Sequence, residues 1–394
     1  MNDRKAFSTR TALRRELNPL AQALFEARAS GRPVLNLTES NPTRAGIQFD
    51  REAILGALSD PRALVYEPHP FGLASAREAV SAEWQARGIA IDAANIVLTA
   101  STSEAYSYVF KVLCDPGDRI LAPRPSYPLI EQIAAFEGVE VAPYQLAYDG
   151  AWHIDFASLE AARDERTRAV VIVTPNNPTG SFVSKDELDK LAKLGLPILS
   201  DEVFASYSFG EHATRVDSAL RAQGALVFSL GGLSKLAALP QLKLAWLSVG
   251  GPAELVVETL LRLEHVADAF LSPGTPVQLA LPALLASRSV AAESIQQRLE
   301  RNLKRLRSLL DGSAANVLAL DGGWYAVLRL PALRFEEEWV VTLLQEDGVL
   351  VQPGWFYDFA DEPYAVVSLL TPENTFVPGI ARIVQRVEAW TKSD

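Results

Sequence analysis

Five short clusters along the chain bring amine, acid, amide and hydroxyl side chains close together. They are Ala100-Ser101-Thr102-Ser103, Pro125-Ser126-Tyr127-Pro128, Pro175-Asn176-Asn177-Pro178-Thr179-Gly180, Asp201-Glu202 and Gly231-Gly232-Leu233-Ser234-Lys235. A lysine amine can act as a nucleophile and a proton carrier, although a lone Ser-Lys pair carries little information. Hydroxyls that open a helix suit a phosphate, or simply cap the helix. Asp201 could likewise be a helix cap. His69, His153, His212 and His265 have no ligand spacing among themselves or with acids, which argues against a metal. Ser103, Ser126 and Ser234 lack the setting of a nucleophile elbow, so a hydrolase triad is not supported.

Each cluster follows a short β-rich run. The runs are Ile96-Val97-Leu98-Thr99, Arg119-Ile120-Leu121, Val170-Val171-Ile172-Val173, Pro197-Ile198-Leu199, Leu226-Val227-Phe228-Ser229 and a stretch at 244–249. Several are apolar on both faces, as in parallel strands covered on both sides, and they alternate with helical patterns. The fold class read from this is α/β: a large domain with a mostly parallel sheet between helices, over 47–277, whose strand ends share one ligand-binding rim. The region 277–310 reads as continuous helix. Beyond it, Gly322-Gly323-Trp324-Tyr325-Ala326-Val327-Leu328, a helical stretch at 336–346 and a β run at 365–370 predict a smaller α+β domain from 1–46 and 278–394. The opening segment, with Arg4, Lys5, Arg10, Arg14, Arg15 and Glu16 ahead of Leu20, Leu24, Phe25 and Glu26, reads as an amphipathic helix of that domain rather than a transit peptide.

The 394 residues, 48% of them hydrophobic, can bury more than one core. A formal charge of -11 disfavours nucleic acid or an anionic membrane as partner. No stretch is apolar enough to span a bilayer and no secretory signal is visible, so the cytoplasm is expected. The single cysteine, Cys114, reads as a packed thiol. Glu160 has no second carboxylate placed to share a proton with it, and the runs Asp164-Glu165-Arg166 and Glu336-Glu337-Glu338 read as solvated helix surface.

Taken together, the ordered set of Asn177-Pro178-Thr179-Gly180, Asp201-Glu202-Val203-Phe204 and Ser234-Lys235 resembles the class I/II aminotransferases. These are pyridoxal 5'-phosphate enzymes of fold type I, and the resemblance runs over roughly 35–370. It implies that Lys235 binds the cofactor aldehyde and shuttles the substrate proton. It implies that Asp201 pairs with the pyridinium nitrogen, that Asn177 hydrogen-bonds the ring's 3'-oxygen and that Tyr127 stacks over the ring. Ser101, Thr102 and Ser103 match the phosphate position. Lys243 stands where the family usually has an arginine paired with that phosphate, which keeps the charge but loses the planar fork. Tyr66 resembles the tyrosine that reaches the phosphate in the neighbouring subunit, and 272–278 another interface strip with Thr275 as its candidate contact. A homodimer with shared active sites is implied.

Two departures stand out. Phe204 occupies a position where the family has a tyrosine, which removes a donor to the 3'-oxygen, so the bound cofactor's protonated form should persist to higher pH. Val366 or Val367 occupies the place of the arginine that grips the substrate carboxylate. Either another cation such as Arg44 serves instead, or the substrate is not an ordinary α-amino acid. The implied activity is transfer of an amino group between an amino acid and a 2-oxo acid by a ping-pong cycle. The alternatives are a lyase, decarboxylase or oxidase of the same fold, and a non-catalytic regulator, which would be expected to lose Lys235 or Asp201 or to carry a DNA-binding extension.

Overall fold

The computed structural model describes residues 7–11, 18–210, 214–360 and 363–393. Its strands in chain order are β1 (Leu35–Asn36), β2 (Ile96–Thr99), β3 (Arg119–Arg124), β4 (Glu140–Tyr148), β5 (Trp152–Ile154), β6 (Thr167–Val173), β7 (Ile198–Asp201), β8 (Val227–Gly232), β9 (Ala245–Gly250), β10 (Asn316–Val317), β11 (Tyr325–Arg329), β12 (Val349–Leu350), β13 (Gln352–Pro353) and β14 (Tyr364–Ser368). Eight of them form one sheet in the order β2-β9-β8-β7-β6-β3-β4-β5. β3, β4, β6, β7 and β8 pair in parallel, whereas β9 runs antiparallel to both β8 and β2. β2 therefore points the same way as the parallel set, and six strands present their C-terminal ends on one rim. Helices cover both faces: Thr102–Leu113 and Ala253–Phe270 contribute to one apolar layer, Phe156–Ala162 and Lys185–Ala192 to the other. This is the both-sides-covered sheet that the apolar runs required.

The β4–β5 hairpin at the edge was not among the predicted strands, because Pro143 and the polar positions of β4 hide its pattern. The single helix expected over 277–310 is two. Thr275–Ala286 ends at Ser287, and Ser289–Leu310 begins after Arg288. The break has a packing cause. The first helix buries Val277, Ala280, Leu281, Leu284 and Leu285 beside Val80 and Trp84 of the large sheet's layer. The second buries Ile295, Leu299, Leu303 and Leu306 against Trp324, Trp339 and Phe376. One straight helix cannot face both cores.

The second core lies under a four-stranded sheet of order β10-β11-β14-β13, and β1 pairs with β12 beside it. The N-terminal helix Pro19–Ala29 is capped by Asn18 and packs Ala23 against Leu344 and Leu350 of this same lobe. Arg4, Lys5, Arg14, Arg15 and Glu16 lie outside the described residues. Asn302, fully buried, donates from Nδ2 to Leu369 O and Thr371 O, both at 2.8 Å, and so ties the long helix to the end of β14. Asn302→Ala is expected to lower unfolding free energy by about 1–3 kcal/mol in a denaturant titration, because two buried carbonyls lose their donor.

Candidate active site

Above the rim of parallel strand ends, where the two cores meet, lies a cavity of about 240 Å³. Each strand end delivers one part of its wall. The turn after β8 becomes a short helix, Leu233–Leu236, that projects Lys235 into the cavity. β7 ends on Asp201, the loop after β6 carries Asn177, and the loop after β3 carries Ser126 and Tyr127. β2 leads through Ser101 into the helix Thr102–Leu113, whose Thr102 and Tyr106 complete that side. The smaller lobe adds Ser40 and Tyr325, and Phe204 closes the floor.

Two glycines are required by close approach. At Gly180, with φ of +71°, a Cβ would lie 2.5 Å from Gly322 O, so the turn that follows Asn177 needs a glycine there. At Gly231 a Cβ would meet Trp246 Nε1 at 2.5 Å.

The electrostatics follow from enclosure. Burial disfavours the Lys235 ammonium and pulls its pKa from 10.5 down to about 8, although Asp201 opposes the shift. The Lys235 Nζ stands 4.7 Å from the Trp324 ring centroid and 5.2 Å from that of Phe204, which partly replaces lost hydration. Tyr207 fixes the backbone here by donating to Lys235 O at 2.7 Å. Competitive acylation of the full-length protein, read by peptide mass, is expected to give Lys235 a reactivity midpoint near pH 8. Exposed lysines are expected near their ordinary value of about 10.4.

Asp201 is pushed the opposite way, up to about 6, by burial, while the Val203 N–H, the Tyr106 hydroxyl and Lys235 hold it down. Asp201 is therefore ionised at neutral pH and loses its charge as pH falls through about 6. Asn177 Oδ1 is buried and has no partner, whereas the neighbouring Asn176 is satisfied, donating to Pro125 O at 3.0 Å and to Thr179 Oγ1 at 2.9 Å. A buried amide oxygen without a partner is a vacant acceptor position.

Of the residues singled out by sequence, Lys235, Asp201, Asn177, Tyr127 and Thr102 line this cavity. Ser101 and Ser103 flank Thr102, and the Ser101 hydroxyl is engaged in accepting from Glu104 N at 3.1 Å, an ordinary helix cap. Lys243 is exposed and outside the lining, in a left-handed conformation with φ of +51°. Tyr66 is 78% exposed and lines a separate surface hollow with His69 and Thr275. Ser126, in the second of the five clusters, and Tyr325, from the smaller lobe, also line it, whereas Tyr106 and Ser40 were not singled out by the sequence.

Among the described lining residues, Lys235 and Asp201 are the charged ones. Val366 and Val367 are fully buried, Val366 among Tyr357, Tyr364 and Val327. Arg44 is exposed and outside the lining. No cluster that could hold a metal occurs among the described residues, and His212 lies outside them. Cys114 is half-buried, and burial pushes its thiol up to about 12. Glu336, expected on solvated surface, is instead half-buried and accepts the N–H groups of Trp355 at 2.7 Å and Tyr364 at 2.8 Å. The helix N-terminus that Glu336 opens lies beside Trp355 and Tyr364, so its carboxylate has backbone donors within reach.

A buried lysine and aspartate thus share one cavity at the C-terminal rim of a doubly covered sheet. The family model for class I and II aminotransferases matches residues 32–366, and the chain belongs to that family. Nicotianamine aminotransferase B of Hordeum vulgare is 35% identical over 240 residues, which are 58% of this chain and 43% of that protein. An S-alkyl-thiohydroximate lyase of Arabidopsis thaliana is 35% identical over 221 residues, 55% of this chain and 47% of that one. The chain spans about half the length of the curated relatives it matches. An alanine aminotransferase structure from Pyrococcus furiosus agrees in fold with a TM-score of 0.86 at 22% identity, covering 97% of this chain and 100% of that one.

Proposed function

We propose that this chain is a pyridoxal phosphate-dependent aminotransferase that moves an amino group between an amino acid and a 2-oxo acid. The observation that carries the reading is the convergence of the Lys235 amine, the Asp201 carboxylate and the Asn177 amide in one cavity. When bound, pyridoxal phosphate supplies an aldehyde that condenses with amines and a ring that accepts the electron pair released at the substrate α-carbon. The residues present fit that group. Lys235 would hold it and, once free, move the proton from the substrate α-carbon. Asp201 would keep the ring nitrogen protonated, and Asn177 would donate to the 3'-oxygen. Tyr127, whose ring meets Phe356 edge-on at 6.2 Å, would cover the ring face. The phosphate would lie at the start of the helix Thr102–Leu113, where Thr102 lines the cavity and Ser101 and Ser103 flank it.

A homodimer fits the exposed apolar strip of Leu64, Val65, Tyr66, Phe270 and Leu271, from which Tyr66 would reach the partner's phosphate site. We place the lobe division after Ala286 rather than at 277/278, because the helix 275–286 packs on the large sheet's layer. A single thiol suits a reducing compartment, so we assign the protein to the cytoplasm.

The test is a half-reaction. Amino acids added singly to the loaded protein are expected to convert the bound cofactor to its pyridoxamine form, and a 2-oxo acid to reverse it. Release of an eliminated or decarboxylated product without that reversal would move the reading to a lyase or decarboxylase. Phe204→Tyr is expected to lower the pH midpoint of the bound cofactor's absorbance change by about one unit, since a restored donor favours the unprotonated form.

A further inference from the structure

Asp201 carries a donor on each oxygen, and one of them comes from a residue outside the five sequence clusters. Oδ1 accepts the Val203 N–H at 3.2 Å, and Oδ2 accepts the hydroxyl of Tyr106 at 3.2 Å. Tyr106 is only 3% exposed, and its ring is fixed against Phe110 with centroids 5.9 Å apart. The two donors arise from separate elements, the turn after β7 and the helix Thr102–Leu113, so together they set the plane of the carboxylate. We propose that Tyr106 is a positioning residue that keeps Asp201 ionised and aimed at the ring nitrogen of the cofactor. The role toward the ring rests on the functional reading above, whereas the contact with Asp201 belongs to the chain itself.

The groups around the pair can be named. Lys235 faces Asp201 from the helix after β8, and Tyr144 faces Tyr106 from β4. Glu202 turns away, accepting from the Ser200 and Ser218 hydroxyls and Ala219 N, with Arg87 at 4.0 Å. Burial, Asp201 and Tyr144 push the Tyr106 hydroxyl well above its ordinary titration, so it remains a donor throughout the working pH range. A hydroxyl donating to a carboxylate favours the charged form, so its loss must raise the pH at which Asp201 becomes protonated.

The test uses the full-length protein freed of cofactor. The infrared band of the protonated Asp201 carboxyl, assigned by its absence in Asp201→Asn, is followed against pH. In Tyr106→Phe, which keeps the ring, the midpoint is expected to rise by about one unit. Incorporation of 3-fluorotyrosine at position 106, a stronger donor, is expected to move it down. With cofactor restored, Tyr106→Phe is expected to lower kcat about tenfold while KM for the amino acid stays within twofold. One unchanged midpoint across all three proteins would overturn the proposal and leave Tyr106 as core packing. A protein that takes up no pyridoxal phosphate would overturn the role toward the ring, and the infrared titration would still decide the contact with Asp201 separately.

Discussion

Lys235→Ala is expected to lower kcat by about four orders of magnitude, the upper range for a positioned acid-base group. Among the described lining residues Lys235 is the cation, and Phe204 and Trp324 pack about its amine. Its depressed pKa of about 8 leaves part of the population neutral at neutral pH, as a proton acceptor must be. The measurement is single-turnover absorbance of the loaded variant with a saturating amino acid. A variant that reacts at near the parental rate would mean that the proton moves through another group. Exogenous small amines are expected to restore part of the rate, because the cavity left by the missing side chain has room for them.

Asp201→Asn is expected to lower kcat by about two to three orders of magnitude, in the range found when a preorganised charge is removed from a site. The substitution keeps the shape and one acceptor for Val203 N, but removes the negative charge that would hold the ring nitrogen protonated. In the cofactor-free protein burial pushes Asp201 up to about 6, and a protonated ring nitrogen beside it would favour its charged form, so the Asp201 midpoint is expected to fall when cofactor binds. An Asn variant with full activity, or an Asp201 midpoint that cofactor leaves unmoved, would remove Asp201 from the chemistry.

The rim was legible because it is written twice in the sequence. Apolar runs such as Val170-Val171-Ile172-Val173 mark strands buried on both faces, and a polar cluster follows five of the six runs, so Asn177, Asp201 and Lys235 could be placed at strand ends from the sequence. Tyr106 was not legible, because on the helix Thr102–Leu113 it shares its periodicity with core positions such as Ala105, Val109 and Phe110. An aromatic residue there reads as packing, and only the 3.2 Å approach to Asp201 distinguishes it. Glu336 was hidden in a run of three acids whose other members are exposed. The break at Ser287 was hidden because both helices are apolar on one face, and which core each face meets is a tertiary matter.

Val366 lies in an aromatic cluster with Tyr357 and Tyr364 outside the cavity lining, to which the smaller lobe brings the neutral hydroxyls of Ser40 and Tyr325. Neutral donors bind a carboxylate more weakly than a bidentate guanidinium does.

If Lys235 holds the cofactor, borohydride reduction of the full-length protein incubated with pyridoxal phosphate, followed by peptide mass analysis, is expected to give a single pyridoxyl phosphate adduct on the peptide containing Lys235, with none in Lys235→Ala. An adduct confined to other lysines, or no adduct at all in folded protein, would show that Lys235 does not hold it.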